Sequence, residues 1–376
     1  MKRPGDMRVM HVIASLSGYG AENFVAGLVP ALAARGAEVA VLTVYPTNDK
    51  AVASDFKGVR LMCAGRHRRM EIRFFPRMVR AIRSFRPTIV HTHMHNGKYW
   101  GRLAAVAAGV PRIVHTEHDP NFKRPSVERV VDAALARATA SFIAFSEGHR
   151  RRLSRADRIP LSRIAVIPNG IEHRPIDPRA RERGRTVLGL DPQHCALLMI
   201  GRLEAQKNHE LALQAFAHLP GDIASKTKLF IAGDGHLRDH LRMTSETLGI
   251  AERVVFLGFR SDGPDLLAAC DAMFMTSHTE AMPIALIEAM GAGAPIVSTP
   301  WLGADEMLDG GQLGEIAADY APETVARSVA TVLRDPARSR TRGQAAREYA
   351  LTRYDLGNAA DLHLDLYGSL LSEIAR

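Results

Sequence analysis

The chain has 376 residues, 46% hydrophobic and 24% charged, with a net charge of +9. That length suits two domains and a large core, and no run approaches the roughly 18 uncharged apolar residues of a membrane span. Cys63, Cys195 and Cys270 are scattered, which argues for a reducing compartment and against a disulfide frame or a cysteine zinc site. The positive balance suits nucleic acid, an anionic membrane face or anionic substrates. The first residues lead directly into a strand, so no signal peptide is expected and the location is read as cytoplasmic.

Arg8 to Ala14 reads as a first strand, followed by a glycine turn, Ser17-Gly18-Tyr19-Gly20-Ala21-Glu22, and a helix from Ala21 to Arg35 that Gly36 stops. Glu38 to Val44 is the next strand, completing a βαβ unit with a glycine-rich first turn. The spacing is not Gly-x-Gly-x-x-Gly, which disfavours a nicotinamide cofactor. Arg66 to Arg86 holds eight arginines with Phe75, Met78, Ile82 and Phe85 at helical spacing. It reads as an amphipathic helix with a basic face, either docked on an anionic membrane or packed on the sheet with its arginines in water. Its aromatics sit at core spacing, which argues against nucleic acid.

Thr88 to His95 is a strand and its exit. His91, His93 and His95 would share one face if the strand ran that far, but no cysteine or carboxylate completes a metal set. Arg112 to Asp119 is another strand entering a loop, with His115 and His118 near its end, and Ser141 to Phe145 leads to a helix cap at Ser146. Val166-Ile-Pro168-Asn169-Gly170 is a turn signal, and 172–189 is rich in Arg, Pro and Gly, as linkers are.

The second half alternates again. Strands are expected at 196–201, 229–232, 254–257, 272–275 and 295–298, with helices at 209–218, 236–248, 265–270 and 283–290. Such alternation means a parallel sheet covered on both faces. Gly201-Arg202-Leu-Glu-Ala-Gln-Lys207 follows a strand, placing two cations where open α/β sheets bind ligands. Glu280 precedes a short helix beginning near Pro283, and Glu288 lies inside it. Free amides at that helix start suit phosphate, and the flanking carboxylates suit hydroxyls, a pairing that fits a sugar nucleotide. The tail from Tyr354 to Leu371 has apolar residues at helical spacing.

Four motifs stand in order: Gly201 to Lys207, Gly233-Asp234-Gly235, Glu280 with Glu288, and Glu288-Ala-Met-Gly-Ala-Gly-Ala-Pro295. The set resembles the donor site of retaining GT-B-fold glycosyltransferases of family 4. The resemblance implies two Rossmann-like, doubly wound parallel-sheet domains facing each other across a cleft. It gives an acceptor-binding domain at 1–170, a linker at 171–189, a donor-binding domain at 190–354, and a last helix at 355–376 crossing back to the first domain.

It also implies roles. Arg202 and Lys207 would neutralise the leaving diphosphate. Glu280 would hold sugar hydroxyls and Glu288 the ribose, with Met282, Pro283 and Ile284 at the phosphate-facing helix start. Pro283 has no N–H to offer. Gly201 and Gly233 would line the donor site, Phe259 and Arg260 would lie near the base, and His118 would touch the transferred sugar. The first glycine turn faces the donor phosphate in the family, and the inserted Tyr19 leaves both Gly18 and Gly20 as candidates.

The function expected is transfer of a sugar from a UDP- or GDP-sugar to an acceptor hydroxyl, with retention. The acceptor is read as a glycan or lipid-linked molecule in bacterial surface polysaccharide or glycoconjugate assembly. With no Asp-x-Asp pair in the chain, no catalytic metal or other cofactor is expected. No nucleophilic carboxylate stands out, which fits a front-face reaction over a double displacement. Two other readings remain at this stage: an epimerase or phosphorylase on the same fold, and a non-enzymatic nucleic-acid binder drawn by charge. Partners beyond the donor and acceptor are a peripheral contact of Arg66–Arg86 with anionic membrane, and no nucleic acid.

Overall fold

The computed structural model describes residues 7–16, 20–47, 56, 58–68, 71–118, 126–175 and 177–373. They form two compact units, one of Met1–Glu172 with Arg353–Arg376, the other of His173–Thr352. Each is built on a wholly parallel sheet, which accounts for the near-continuous burial along the strands.

The first sheet has seven strands: β1 (Arg8–Ile13), β2 (Glu38–Thr43), β3 (Arg60–Cys63), β4 (Ile89–His93), β5 (Arg112–Thr116), β6 (Ser141–Ala144) and β7 (Ile164–Val166). Their order is β3-β2-β1-β4-β5-β6-β7. The second has six: β8 (Cys195–Ile200), β9 (Thr227–Ala232), β10 (Val254–Gly258), β11 (Ala272–Met275), β12 (Ile296–Ser298) and β13 (Glu315–Ile316), in the order β10-β9-β8-β11-β12-β13. Each order reverses once, between β1 and β4 and between β8 and β11. A crevice opens at such a switch point beyond the carboxyl ends of the strands. The loops leaving β1, β4, β8 and β11 therefore carry the candidate chemistry.

The last helix, Leu356–Ser372, belongs to the first unit. It is capped by Asp355, whose side chain accepts from the Asn358 N–H, and Ile171 bridges to Asp355 beside it. Gly170 is required there, since a Cβ would lie 2.5 Å from the Asp355 carbonyl oxygen. Arg35 holds the helix to the first one (Gly20–Ala34) through Asp361 at 2.5 Å.

Two expectations are corrected. The stretch 171–189, read as a linker, carries a helix at Ala180–Val187 within the second unit. Gly184 packs it so closely on the helix Gly263–Ala269 that a Cβ would meet the Asp265 carbonyl oxygen at 2.3 Å. The basic stretch 66–86 is not one helix. The helix is Phe74–Phe85, starting where Pro76 sits in the first turn and lacks no hydrogen bond it would otherwise make. Phe74, Met78, Ile82 and Phe85 are wholly buried in the core, so the apolar stripe faces the sheet. Arg66 is buried too, its guanidinium 4.8 Å from the Phe74 ring centroid and 5.6 Å from that of Trp100. Arg69 lies outside the described residues. Among those described, no helix is long and apolar enough to cross a membrane.

Candidate functional site

In the second unit the chain leaves β8 at Gly201 and β11 at Thr276, and the two loops are stitched together. The Gln206 side chain donates to the Thr279 carbonyl at 2.9 Å, and the His278 N–H donates to the Gln206 carbonyl at 2.9 Å. The Thr276 hydroxyl donates to the carbonyls of Lys207 and Asn208. This brings together two residues the sequence had placed in separate motifs: the Lys207 Nζ donates to Glu280 Oε1 at 2.7 Å. The Ser277 hydroxyl donates to the same oxygen, also at 2.7 Å. Glu280 is buried, and both bonds fall on Oε1, which leaves Oε2 for a ligand.

Gly233 fixes the floor of this site. Its N–H donates to the Gly258 carbonyl at 2.8 Å, and a Cβ would lie 1.8 Å from the Gly201 oxygen. No side chain fits there, so the two glycine turns after β8 and β9 come into backbone contact.

The helix Ile284–Ala292 begins after Pro283 with no side-chain cap. Leu286 and Ile287 already donate to the Pro283 carbonyl, at 3.1 and 3.3 Å, so among the described residues the amides of Ile284 and Ala285 are the ones open to an anion. Glu288 is half-buried on this helix and has no protein partner among the described residues. Burial pushes its carboxyl up to about 7. A carboxylate so placed gains from any hydroxyl that donates to it.

Arg202, Arg260 and Met282 lie on the same group of loops in this unit. Arg202 reaches Glu204 at 2.8 Å and is half-exposed, so the free cation expected beside the diphosphate is ion-paired here. Arg260 is held by both oxygens of Asp262, and Phe259 beside it is 69% exposed. Met282 is buried next to Pro283.

In the first unit, Gly18 lies outside the described residues, and Gly20 begins the helix Gly20–Ala34. Ser15, at the exit of β1, donates to the buried Glu22 at 2.8 Å. His118 is half-buried just beyond β5, and burial holds its ring down to about 3. Behind it lies a cluster no sequence motif announced. The Nε2 of His118 is 3.1 Å from the Nδ1 of His93, and the Nε2 of His93 is 2.9 Å from the Nδ1 of His11. His91 bonds Tyr367 at 2.6 Å and Thr116 at 2.7 Å. His363 and Tyr367 enter from the last helix. Desolvation holds His11 at about 3, His115, His149 and His363 at about 4, and His91 and His93 well below 6.5.

The strand ends at His93, Met94 has φ 57°, and His95 falls in a short helical turn. Gly97 then presses on β1, where a Cβ would be 2.6 Å from the Val12 oxygen. One turn on, Lys98 is buried between Glu117 at 3.0 Å and Asp132 at 3.1 Å. His11, His91 and His93 have nitrogens within 4.8 Å of one another, as metal ligands would. His91 and His93, however, engage both ring nitrogens with protein partners, so an ion there would have to displace existing bonds.

The family model described as glycosyl transferases group 1 matches residues 180–349, and that described as glycosyltransferase family 4 matches residues 19–174. An Escherichia coli UDP-Gal:alpha-D-GlcNAc-diphosphoundecaprenol alpha-1,3-galactosyltransferase is 32% identical over 219 residues, covering 56% of this chain and 57% of that protein. A Mycobacterium marinum D-inositol 3-phosphate glycosyltransferase is 27% identical over 304 residues, 74% of this chain and 63% of that protein. The chain thus matches less than two thirds of the length of each. Among solved structures, Anabaena HepE in complex with UDP-glucose superposes with TM-score 0.85 at 21% identity, covering 96% of this chain and all of that one. A Thermosynechococcus elongatus sucrose-phosphate synthase does so with TM-score 0.83 at 19% identity, covering 97% of this chain and all of that one. These likenesses establish the GT-B fold.

Proposed function

The chain belongs to glycosyltransferase family 4, and from that premise we propose that it transfers a sugar from a UDP-sugar to an acceptor hydroxyl, with retention and without a metal. The observation that carries this reading is Glu288: a half-buried carboxyl without a partner among the described residues, on an uncapped helix that follows the Lys207–Glu280 pair. The ribose hydroxyls would donate to Glu288, and the helix amides would face the diphosphate. Lys207 would meet the leaving phosphate while Glu280 Oε2 accepts from a sugar hydroxyl. Arg202 would exchange Glu204 for phosphate, since a half-exposed pair is a weak one. Uridine is favoured over guanosine because the E. coli relative's name specifies UDP-Gal and HepE was solved with UDP-glucose.

The same relative supports a lipid-linked acceptor. Arg68, Arg73, Arg80 and Arg86 are exposed in the basic segment with Ile72, itself 78% exposed. We read this as a peripheral contact with anionic lipid at the cytoplasmic face, of a kind that salt weakens. The test is incubation with UDP-galactose or UDP-glucose and a diphosphoprenyl-linked amino sugar, in the presence of EDTA. UDP release that depends on the acceptor and keeps the anomeric configuration is the expected result. Consumption of donor alone would point to an epimerase, and loss of turnover in EDTA would remove the metal-free mechanism.

A further inference from the structure

The three rings His11, His93 and His118 form one hydrogen-bonded file. In both links the centroid separations, 5.2 and 5.4 Å, exceed the N···N distances by the same margin, so each N···N line passes through both ring centres. The first pair is nearly coplanar, at 9°. The second is twisted by 50° about that line, which leaves the nitrogen lone pair still aimed at its donor. These are in-plane N–H···N bonds rather than stacked faces.

Each link joins an Nδ1 to an Nε2 and holds one proton. Every ring is desolvated and neutral, so every ring carries one N–H. If His93 donates from Nδ1, it must accept at Nε2, and His11 must donate from Nδ1. If His93 accepts at Nδ1, all three carry the proton on Nε2. No mixed arrangement keeps both bonds.

We propose that His93 is a positioning residue for His118: the file locks the three rings into one shared tautomer and so decides whether His118 offers a donor or an acceptor at its remaining nitrogen. His118 Nδ1 has no protein partner among the described residues, and His11 Nε2 is buried and unpartnered at the other end. In either state the buried His11 Nε2 is left unpartnered, as an acceptor in one and as a donor in the other. The group that meets His118 selects between them. A phosphate oxygen or ether oxygen, which can only accept, draws all three protons to Nδ1. A hydroxyl can be met by either state. The ring therefore serves a polar sugar without ever becoming charged, and the file of aligned dipoles strengthens whichever bond it makes. That His118 meets the sugar rests on the proposed function; the shared tautomer does not.

The test is long-range imidazole 15N spectroscopy on the full chain, selectively labelled at histidine. The expected result is the same tautomer for His11, His93 and His118, assigned through single substitutions. One ring protonated on Nδ1 beside another protonated on Nε2 overturns the proposal. So does a change in the His11 and His93 nitrogen shifts on adding one equivalent of Zn2+, which would make His11, His91 and His93 a metal centre. Two variants supply the second readout. An asparagine amide nitrogen can stand where the His93 Nδ1 stands, so H93N keeps a donor to His118 and should hold it as the Nδ1–H form. H93L offers nothing, and the His118 tautomer should no longer follow that of His11. We expect H93L to lose about 10-fold or more in kcat with unchanged UDP affinity, and H93N to recover most of it. Equal spectra and equal rates for the two variants would overturn the coupling. Absence of turnover in wild type would count against the function alone, since the spectrum reads the file directly.

Discussion

The two units prepare a polar surface by opposite means. The first uses uncharged rings: seven histidines, six of them buried and His118 half-buried, bonded among themselves and to Tyr367, Thr116, Thr92, the Phe145 amide and the Ala359 carbonyl. The second uses ions: Lys207 on Glu280, Arg202 on Glu204, and Glu288 with no partner among the described residues. A neutral hydrogen-bonding surface suits a sugar, whose hydroxyls carry no charge. A charged one suits a diphosphate, whose charge grows as it leaves. The contrast should appear in how each unit responds to mutation and to pH.

The largest effect should come from Gly233→Ala, which forces a Cβ onto the Gly201 oxygen at 1.8 Å. A cost of about 3 kcal/mol or more is expected. Hydrogen exchange should show protection lost across β8, β9 and β10, while the histidine unit keeps its own.

Acid should reverse that pattern. His11, His91, His93, His115, His118, His149 and His363 all bind protons more weakly folded than unfolded, where the ordinary value is 6.5. The unfolded chain therefore takes up protons first as pH falls below 6.5. Each such group withdraws about 1.4 kcal/mol per pH unit until its folded value is reached. In the second unit His209, held at about 4 by burial, acts in the same direction, but Glu288 opposes it between pH 7 and 4.5. At pH 5 the first unit should lose hydrogen-exchange protection well before the second. Equal loss in both would erase the contrast.

Lys207→Met removes the cation and leaves the buried Glu280 with Ser277 alone. A fall of about 100-fold in kcat is expected, with a smaller loss of UDP affinity. Glu288→Gln should do something less common. The folded carboxyl holds its proton to about pH 7, above the unfolded 4.5, so the folded state is penalised as pH rises through that window. Removing the charge should stabilise the free protein by about 2 kcal/mol at pH 8, after discounting for solvent, and by almost nothing at pH 4.5. The same variant should bind UDP about 10-fold more weakly, as loss of a charge-assisted hydrogen bond implies. A variant neither more stable at pH 8 nor weaker for UDP would place Glu288 outside the site.

Much of this was legible in the sequence where chemistry is local. The strands beside both switch points follow from short apolar runs, and Gly201 to Lys207 and Glu280 to Glu288 stand on the loops those strands feed. At 66–86 periodicity found the buried stripe of Met78, Ile82 and Phe85, but the helix begins only at Phe74 and Arg66 turns inward onto Phe74 and Trp100. A charge count has no means of showing that. The edge strands β3 and β13 and the helices Ser126–Ala138, Pro322–Arg334 and Pro336–Arg353 went unread. The strands are short, and the helices carry no motif. Lys207 on Glu280 joins residues 73 apart in sequence, and His91 on Tyr367 joins residues 276 apart. Only the strand order brings such pairs together. His93, alternating with His91, and His118 were the members of the histidine file visible in the sequence, and His11, on the neighbouring strand and in register with His91, was the signal to look for.

The central claim is that the second unit grips a nucleoside diphosphate with Glu288 on its hydroxyls, and proton linkage tests it most directly. Hydroxyl donors lower the carboxyl's affinity for protons, so UDP binding at pH 7 should release about half a proton per site. Calorimetry in buffers of different ionisation enthalpy reads that number. The account predicts release in wild type and none in Glu288→Gln; UDP binding with no release, or with the same release in both, would contradict it.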